Sequence, residues 1–70
     1  MDDNLLKSFG EHLRKLRIEK SLSQVDLAFK GDFDRNYIGM LERGERNPSL
    51  RNLKRLAHAL EISLPELLNF

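Results

Sequence analysis

The stretch "SQVDLAFKGDFDRNYIGMLERG", residues 23–44, combines two short helical patterns with a turn between them, and it decides the fold. Ser23 with Asp26 three residues later is a capping-box pattern, which marks the start of a helix. The helix is stopped at Gly31, which predicts a length of about eight residues. The tetrapeptide "GDFD" then forms a short turn.

A second helix is predicted over residues 35–43 of the same stretch. Asp34 can cap its start by accepting a hydrogen bond from the backbone N–H of Tyr37. Gly44 can end the helix in the left-handed conformation, which glycine adopts without steric cost. The two short helices and their turn therefore occupy about residues 23–43.

Apolar residues recur with helical spacing on both sides of this stretch. They predict a first helix over about residues 4–20 and a fourth helix that begins after Pro48 and Ser49. A further capping box at Ser63 predicts a fifth helix over about residues 64–70. No segment alternates apolar and polar residues for long enough to predict a strand. The positions that carry the two long stripes are Leu5, Phe9, Leu13 and Leu16, and Leu50, Leu53, Leu56, Ala57 and Leu60.

The chain of 70 residues suffices for one domain, residues 1–70, which we expect to be a compact all-α bundle of five helices. It contains no Cys, so disulfides and thiolate metal sites are excluded, and this composition fits a reducing cytoplasm. No apolar run approaches the roughly 20 residues of a membrane span, and the N-terminal sequence is acidic rather than basic. We therefore expect a cytoplasmic protein without a membrane partner.

The net charge of +1 is uninformative, but the charge is unevenly distributed. Residues 1–33 carry six acidic and six basic side chains, and residues 59–70 carry two acidic side chains and no Lys or Arg. Residues 34–58 carry six Lys or Arg against three acidic side chains. The excess positive charge therefore lies on and after the second short helix, where a nucleic acid could be bound.

A helical wheel separates the residues of the second short helix into two faces. We expect Asp34, Tyr37, Ile38 and Leu41 to face the core, and Arg35, Asn36, Gly39, Met40 and Arg43 to face outward. Arg pairs well with guanine and Asn with adenine, and a glycine lets the helix approach the major groove closely. The alternative is that these are ordinary solvated side chains beside a neutral surface glycine.

The segment "LRIEKSLSQVDLAFKGDFDRNYIGMLERGERNPSLRNLKRLAHAL", residues 16–60, resembles the helix-turn-helix domain of phage repressor and Cro proteins, the XRE-type family. That family includes restriction–modification controller proteins and small bacterial repressors. The strings "LSQ..LA" and "R.YI..LERG.RNPSL..L..LA.AL" carry the resemblance. It implies a lambda repressor-like domain that binds double-stranded DNA through the major groove, as a dimer on a palindromic operator, and regulates transcription.

The resemblance also implies roles for individual residues. Base-reading positions fall on Arg35, Asn36, Gly39 and Met40. Phosphate-contacting positions fall on Ser23, Gln24, Tyr37, Arg43, Arg46 and Asn47. Glu42 is expected to pair with Arg17 of the first helix, although a solvated Glu42 is the alternative. One departure concerns the turn, where the usual Ala-Gly pair is replaced by Gly31 and Asp32.

A protein-interaction module, such as an antitoxin or adaptor, is the competing function for the same fold. Some apolar residues near the C-terminus exceed the needs of one core, and we expect Leu64, Leu68 and Phe70 to form a homodimer interface. The two His residues lie far apart, and no metal-ligand, nucleotide-binding or catalytic pattern is present. We therefore expect no enzyme activity, no cofactor, no metal and no small-molecule ligand.

Overall fold

The computed structural model describes residues 2–70, and within that range the chain forms five α-helices and no β-strand. The helices are α1 (Asp3–Glu19), α2 (Gln24–Gly31), α3 (Tyr37–Glu42), α4 (Leu50–Leu60) and α5 (Leu64–Leu67). They pack into a body of 27 × 24 × 21 Å. The all-α five-helix prediction is therefore confirmed.

All five helices contribute to one hydrophobic core. The largest side chains with less than 2% exposure are Phe9, Leu13, Leu27, Ile38, Leu41, Leu56, Leu60 and Leu67. α3 is held between α1 and α2, α2 also packs on α4, and α5 packs on α4 and α1. Among residues 2–70, none of the helices combines the length and the apolar character that a membrane span requires.

Side-chain caps begin three of the helices as the sequence predicts. Ser23 Oγ accepts the backbone N–H of Asp26, and the Asp26 carboxylate accepts the N–H of Ser23, both at 2.9 Å. Hydrogen bonding to the carboxylate from the backbone N–H of Ser23, and from its side chain, lowers the pKa of Asp26 below its ordinary value. Ser63 and Glu66 form the same box at α5, and Ser49 caps α4.

The start of α3 differs from the prediction. The Asp34 carboxylate accepts the backbone N–H of Asn36 at 2.8 Å, and the N–H of Tyr37 bonds instead to the backbone carbonyl of Asp34 at 3.0 Å. These bonds close a turn over Arg35 and Asn36, so the helix begins at Tyr37. Gly44 follows the helix with φ of +76°, as expected for its end.

The turn after α2 also differs in detail. Gly31 is the last residue of the helix, and Asp32 adopts the left-handed conformation with φ of 58°. Gly31 is needed for another reason, because a Cβ atom there would lie 2.6 Å from Cδ2 of Phe33. The shifted glycine therefore makes room for the Phe33 ring, while Asp32 ends the helix.

The predicted fifth helix over residues 64–70 is too long. α5 ends at Leu67, and the chain then turns so that the Phe70 ring packs on α1. The Phe70 ring centroid lies 5.8 Å from that of Phe9 and 5.6 Å from that of His12. This aromatic contact draws the last residues away from the helix axis.

Candidate DNA-binding interface

A buried ion pair joins α1 to α3. Arg17 donates from Nε to Glu42 Oε2 at 2.6 Å and from Nη2 to Glu42 Oε1 at 3.1 Å. The remaining Nη1 donates to the carbonyl of Leu22 at 2.8 Å. The side chains of Arg17 and Glu42 are only 9% and 4% exposed. The pair that the resemblance implies is therefore present, with its charges well hydrogen-bonded.

Gln24, the first residue of α2, extends this network to the surface of α3. Its Nε2 donates to Glu42 Oε1 at 3.0 Å. Its side chain also covers Gly39. A Cβ atom added to Gly39 would lie 3.3 Å from Gln24 Oε1 and 3.1 Å from Arg43 Nη1. Gly39 is therefore buried beneath two flexible polar side chains, which differs from the exposed position that the helical wheel predicts.

Arg35 and Asn36 lie in the exposed turn that precedes α3. Neither side chain is engaged in a hydrogen bond within residues 2–70, and only the backbone N–H of Asn36 is used, by Asp34. A guanidinium and an amide with free donors and acceptors thus project near the start of α3. Side chains at the N-terminal end of a recognition helix contact base edges in the major groove, so these two groups are candidates for base contacts.

Arg43, the residue that follows α3, pairs with Glu45 in solvent. Arg43 Nε and Nη2 donate to the two Glu45 carboxylate oxygens at 2.8 and 3.2 Å. This hydrogen bonding raises the pKa of Arg43 above its ordinary value and lowers the pKa of Glu45. Both side chains are more than half exposed, at 60% and 53%, so the pair can open readily toward another anion.

The loop between α3 and α4 is anchored to α3 by a second contact. Arg46 Nε donates to the Met40 sulfur at 3.2 Å, which places a loop guanidinium beside a predicted base-reading side chain. Asn47 is exposed in the same loop, whereas Pro48 is buried and fixes its far end. The structure therefore brings Met40 and Arg46 together.

Tyr37 and Ser23 are the remaining predicted phosphate contacts. Ser23 Oγ accepts the N–H of Asp26 as the cap of α2, so its own proton is not used in that bond. Tyr37 is half-buried, and its hydroxyl accepts a hydrogen bond from Asn52 Nδ2 at 3.0 Å. Its ring stacks on Phe33 with centroids 5.2 Å apart.

Sequence reasoning did not identify Phe33, Asn52 and Arg55 as part of this region. Asn52 and Arg55 lie three residues apart on α4, a spacing that places them on one face of the helix. This spacing, next to a basic loop, is the sequence signal that could have identified Asn52 and Arg55. The bonds from Arg55 to the Gly31 and Asp32 carbonyls span 24 and 23 residues of sequence, and the bond from Asn52 to Tyr37 spans 15. Periodicity does not reveal such contacts.

The predicted dimer residues lie elsewhere on the bundle, on and after α5. Leu64 is half-buried against the core, whereas Leu68 and Phe70 are 40% and 46% exposed. One part of the Phe70 ring packs against Phe9 and His12 of α1. Leu68 and Phe70 are therefore the exposed apolar side chains at this end of the chain.

The structure has two short helices joined by a tight turn, with exposed hydrogen-bonding groups at the start of the second helix and an internal ion pair behind it. This arrangement defines a helix-turn-helix domain. The family described as helix-turn-helix matches residues 13–67.

Individual relatives agree with this assignment. The chain is 42% identical over 71 aligned residues, covering 100% of its length, to the control protein C.BamHI of Bacillus amyloliquefaciens, and the match covers 88% of that protein. It is 48% identical over 60 residues to the control protein C.MunI of a Mycoplasma species, covering 84% of this chain and 81% of that protein.

The crystal structure of the restriction–modification controller protein C.AhdI from Aeromonas hydrophila superposes with a TM-score of 0.85 at 53% identity, covering 91% of this chain and 96% of that chain. The protein therefore belongs to the helix-turn-helix family of transcriptional regulators. The family resemblance carried by residues 16–60 is thereby confirmed.

Proposed function

We propose that this chain is a sequence-specific DNA-binding regulator of transcription that acts as a homodimer on a palindromic operator. The observation that carries the proposal is the pair of exposed side chains before α3, Arg35 and Asn36, neither of which makes a hydrogen bond to any of residues 2–70. These two residue types are the ones that make paired hydrogen bonds to guanine and adenine in the major groove.

In this proposal α3 enters the major groove, and Arg35 and Asn36 supply most of the base reading. Met40 adds apolar contact, for which a thymine methyl group is the natural partner. Gly39 contributes by lacking a side chain, so that α3 can approach the bases once the covering side chains of Gln24 and Arg43 move to the DNA backbone.

Phosphate contacts would fix the register of α3 in the groove. Arg43 and Arg46 supply positive charge from the end of α3 and the following loop, and Asn47 is exposed beside them. Ser23 and Gln24 lie at the N-terminal end of α2, where backbone N–H groups also favour an anion. Tyr37, the first residue of α3, supplies a neutral hydroxyl.

The dimer is proposed from the exposed apolar side chain of Leu68, with Leu64 and Phe70 beside it. A two-fold dimer would place two copies of α3 roughly 34 Å apart, one helical turn of DNA. Because each copy reads one half-site, dimerisation doubles the number of base contacts and demands a palindromic operator.

The regulated genes are proposed from the relatives. Because C.BamHI and C.MunI are control proteins and C.AhdI is a restriction–modification controller protein, we propose that this chain controls a restriction–modification operon, including its own promoter. Control would then depend on protein concentration through dimerisation.

The experiment that tests this function is selection from a pool of random DNA duplexes at two salt concentrations, followed by sequencing of the bound fraction. We expect a palindromic motif with half-sites about one helical turn apart, and binding that weakens steeply as salt rises. Recovery of no motif, with only weak salt-sensitive retention, would contradict the proposal and favour a protein-interaction module.

A further inference from the structure

A cluster of four side chains holds the turn between α2 and α3 against α4, and we call it the turn cluster: Phe33, Tyr37, Asn52 and Arg55. Arg55 is at its centre. Its Nη2 donates to the backbone carbonyls of Gly31 and Asp32 at 2.7 and 2.5 Å, which satisfies carbonyl groups at the end of α2. Its guanidinium carbon also lies 4.2 Å from the centroid of the Phe33 ring.

The third contact of Arg55 determines the orientation of the Asn52 amide. Arg55 Nη1 lies 3.1 Å from Asn52 Oδ1. A guanidinium can only donate hydrogen bonds, so the atom of Asn52 that faces it must be the carbonyl oxygen. The amide nitrogen of Asn52 is then directed to the other side, where the Tyr37 hydroxyl lies 3.0 Å away.

This orientation sets the direction of the hydrogen bond at Tyr37. An amide nitrogen can only donate, so the Tyr37 oxygen accepts, and the hydroxyl proton remains free for another acceptor. Stacking on Phe33, which itself lies under Arg55, holds the Tyr37 ring in place. The turn cluster therefore leaves a hydroxyl donor at the first residue of α3, which follows Arg35 and Asn36 directly in the sequence.

We propose that Arg55 is a positioning residue that acts through Asn52 to keep the Tyr37 hydroxyl proton available for a DNA phosphate. The inference rests on the proposed DNA-binding function, and it explains how the Tyr37 hydroxyl is kept ready to donate to a phosphate. Without Arg55 the Asn52 amide can turn over, accept the Tyr37 proton and remove the donor from the DNA surface.

The decisive variant is Asn52→Asp, because a carboxylate accepts from both sides and keeps its pairing with Arg55. We expect Asn52→Asp to remain as resistant to thermal unfolding as the wild type, or more so, while its affinity for the selected operator falls. Arg55→Met is the second variant, and Lys54→Met, on the same helix outside the turn cluster, is the control for loss of one positive charge.

Each of these changes is made in the wild-type chain and again in the Tyr37→Phe chain, because a double-mutant cycle isolates the effect that passes through the hydroxyl. Loss of a hydrogen bond to a charged group weakens binding by about tenfold to a hundredfold. We expect Asn52→Asp and Arg55→Met to cost about tenfold more in the wild type than in Tyr37→Phe, and Lys54→Met to cost the same in both. Equal losses in both backgrounds for Asn52→Asp and Arg55→Met would overturn the inference.

A readout without DNA keeps this inference separate from the proposed function. The chain has one Tyr and no Trp, so its tyrosine Raman doublet reports Tyr37 alone. The intensity ratio of that doublet distinguishes a hydroxyl that accepts a hydrogen bond from one that donates. We expect an accepting hydroxyl in the wild type and a donating one in Asn52→Asp; an unchanged ratio would overturn the inference. If the wild type selects no DNA motif, the proposed function fails, and the role of Tyr37 as a phosphate donor fails with it.

Discussion

The Glu42 carboxylate of α3 and the Arg17 guanidinium of α1 form a two-point ion pair at 2.6 and 3.1 Å, and both side chains are almost completely buried. The pair connects the long first helix to α3, the helix that we propose enters the major groove. Glu42 also accepts from Gln24 of α2, so one carboxylate joins three helices. Its removal should therefore affect the fold before it affects any DNA contact.

We expect Glu42→Ala to lower the free energy of unfolding by about 3–5 kcal/mol, because it leaves the buried Arg17 charge without its partner. For a domain of 70 residues this is comparable to the whole stability, so unfolding at low urea concentration is expected. Urea denaturation followed by circular dichroism measures the change. Glu45→Ala, which removes an exposed carboxylate of the same type, is the control and should change the midpoint little. Similar midpoints for the two variants would contradict the structural role of Glu42.

The two glycines of α1 and α3 should respond oppositely to alanine. A Cβ at Gly39 would meet only the ends of the Gln24 and Arg43 side chains, which can move, so Gly39→Ala should stabilise the helix by about 0.5–1 kcal/mol. A Cβ at Gly10 would lie 2.5 Å from the backbone carbonyl oxygens of Leu41 and Glu42, which cannot move, so Gly10→Ala should destabilise the fold.

The same Gly39→Ala variant should bind the operator more weakly despite its greater stability, because the added methyl group lies on the face that we propose approaches the bases. Thermal unfolding and operator titration of the two alanine variants measure both properties. A Gly39→Ala chain that is more stable and binds DNA as the wild type does would show that close approach at this position is unimportant.

The exposed Arg43–Glu45 pair should compete with DNA for the Arg43 guanidinium. Glu45→Gln removes that competition and one negative charge, so operator affinity should rise severalfold. If Arg43 then contacts one more phosphate, the slope of log K against log salt should steepen by up to about 0.9. Glu11→Gln, on the exposed surface of α1, removes the same charge and is the control. Equal gains for the two variants would indicate a general charge effect instead of release of Arg43.

Leu68→Glu should weaken the proposed dimer, because it places a charge in an interface that would otherwise exclude water. Sedimentation equilibrium should give a mass near 8.2 kDa for the variant at concentrations where the wild type is dimeric. The control is Ile18→Glu, which changes an exposed apolar residue of α1 and should leave the mass unchanged. An unchanged mass and unchanged operator affinity for Leu68→Glu would place the interface elsewhere.

Helix ends that are specified by local sequence signals were predicted well. Those that depend on contacts between residues far apart in the sequence were predicted less well. The capping boxes at Ser23 and Ser63 are local, so the starts of α2 and α5 were predictable. The last residues of the chain leave the helix because Phe70 packs on Phe9 and His12, and this contact has no local signal. The role of Gly31 likewise became clear only from the position of the Phe33 ring.

The candidate site shows the same division. The family resemblance predicted the pairing of Arg17 with Glu42, and the structure contains that ion pair. The burial of Gly39 was not predicted, because it results from the long side chains of Gln24 and Arg43 folding over a position without a side chain. A helical wheel shows which face of the helix a residue occupies, but it does not show whether neighbouring side chains cover that residue. It therefore places such a glycine on the surface.

The most direct test of the account is the affinity of the wild type and of Arg35→Ala for the selected operator and for every single base-pair substitution in one half-site. We expect Arg35→Ala to lose about 1–3 kcal/mol on the operator and to discriminate less at one base-pair position, with the salt dependence otherwise retained. Arg14→Ala, on the exposed face of α1, is the control and should bind as the wild type does. Operator affinity unchanged in Arg35→Ala, or reduced equally for every sequence, would contradict base reading from the start of α3.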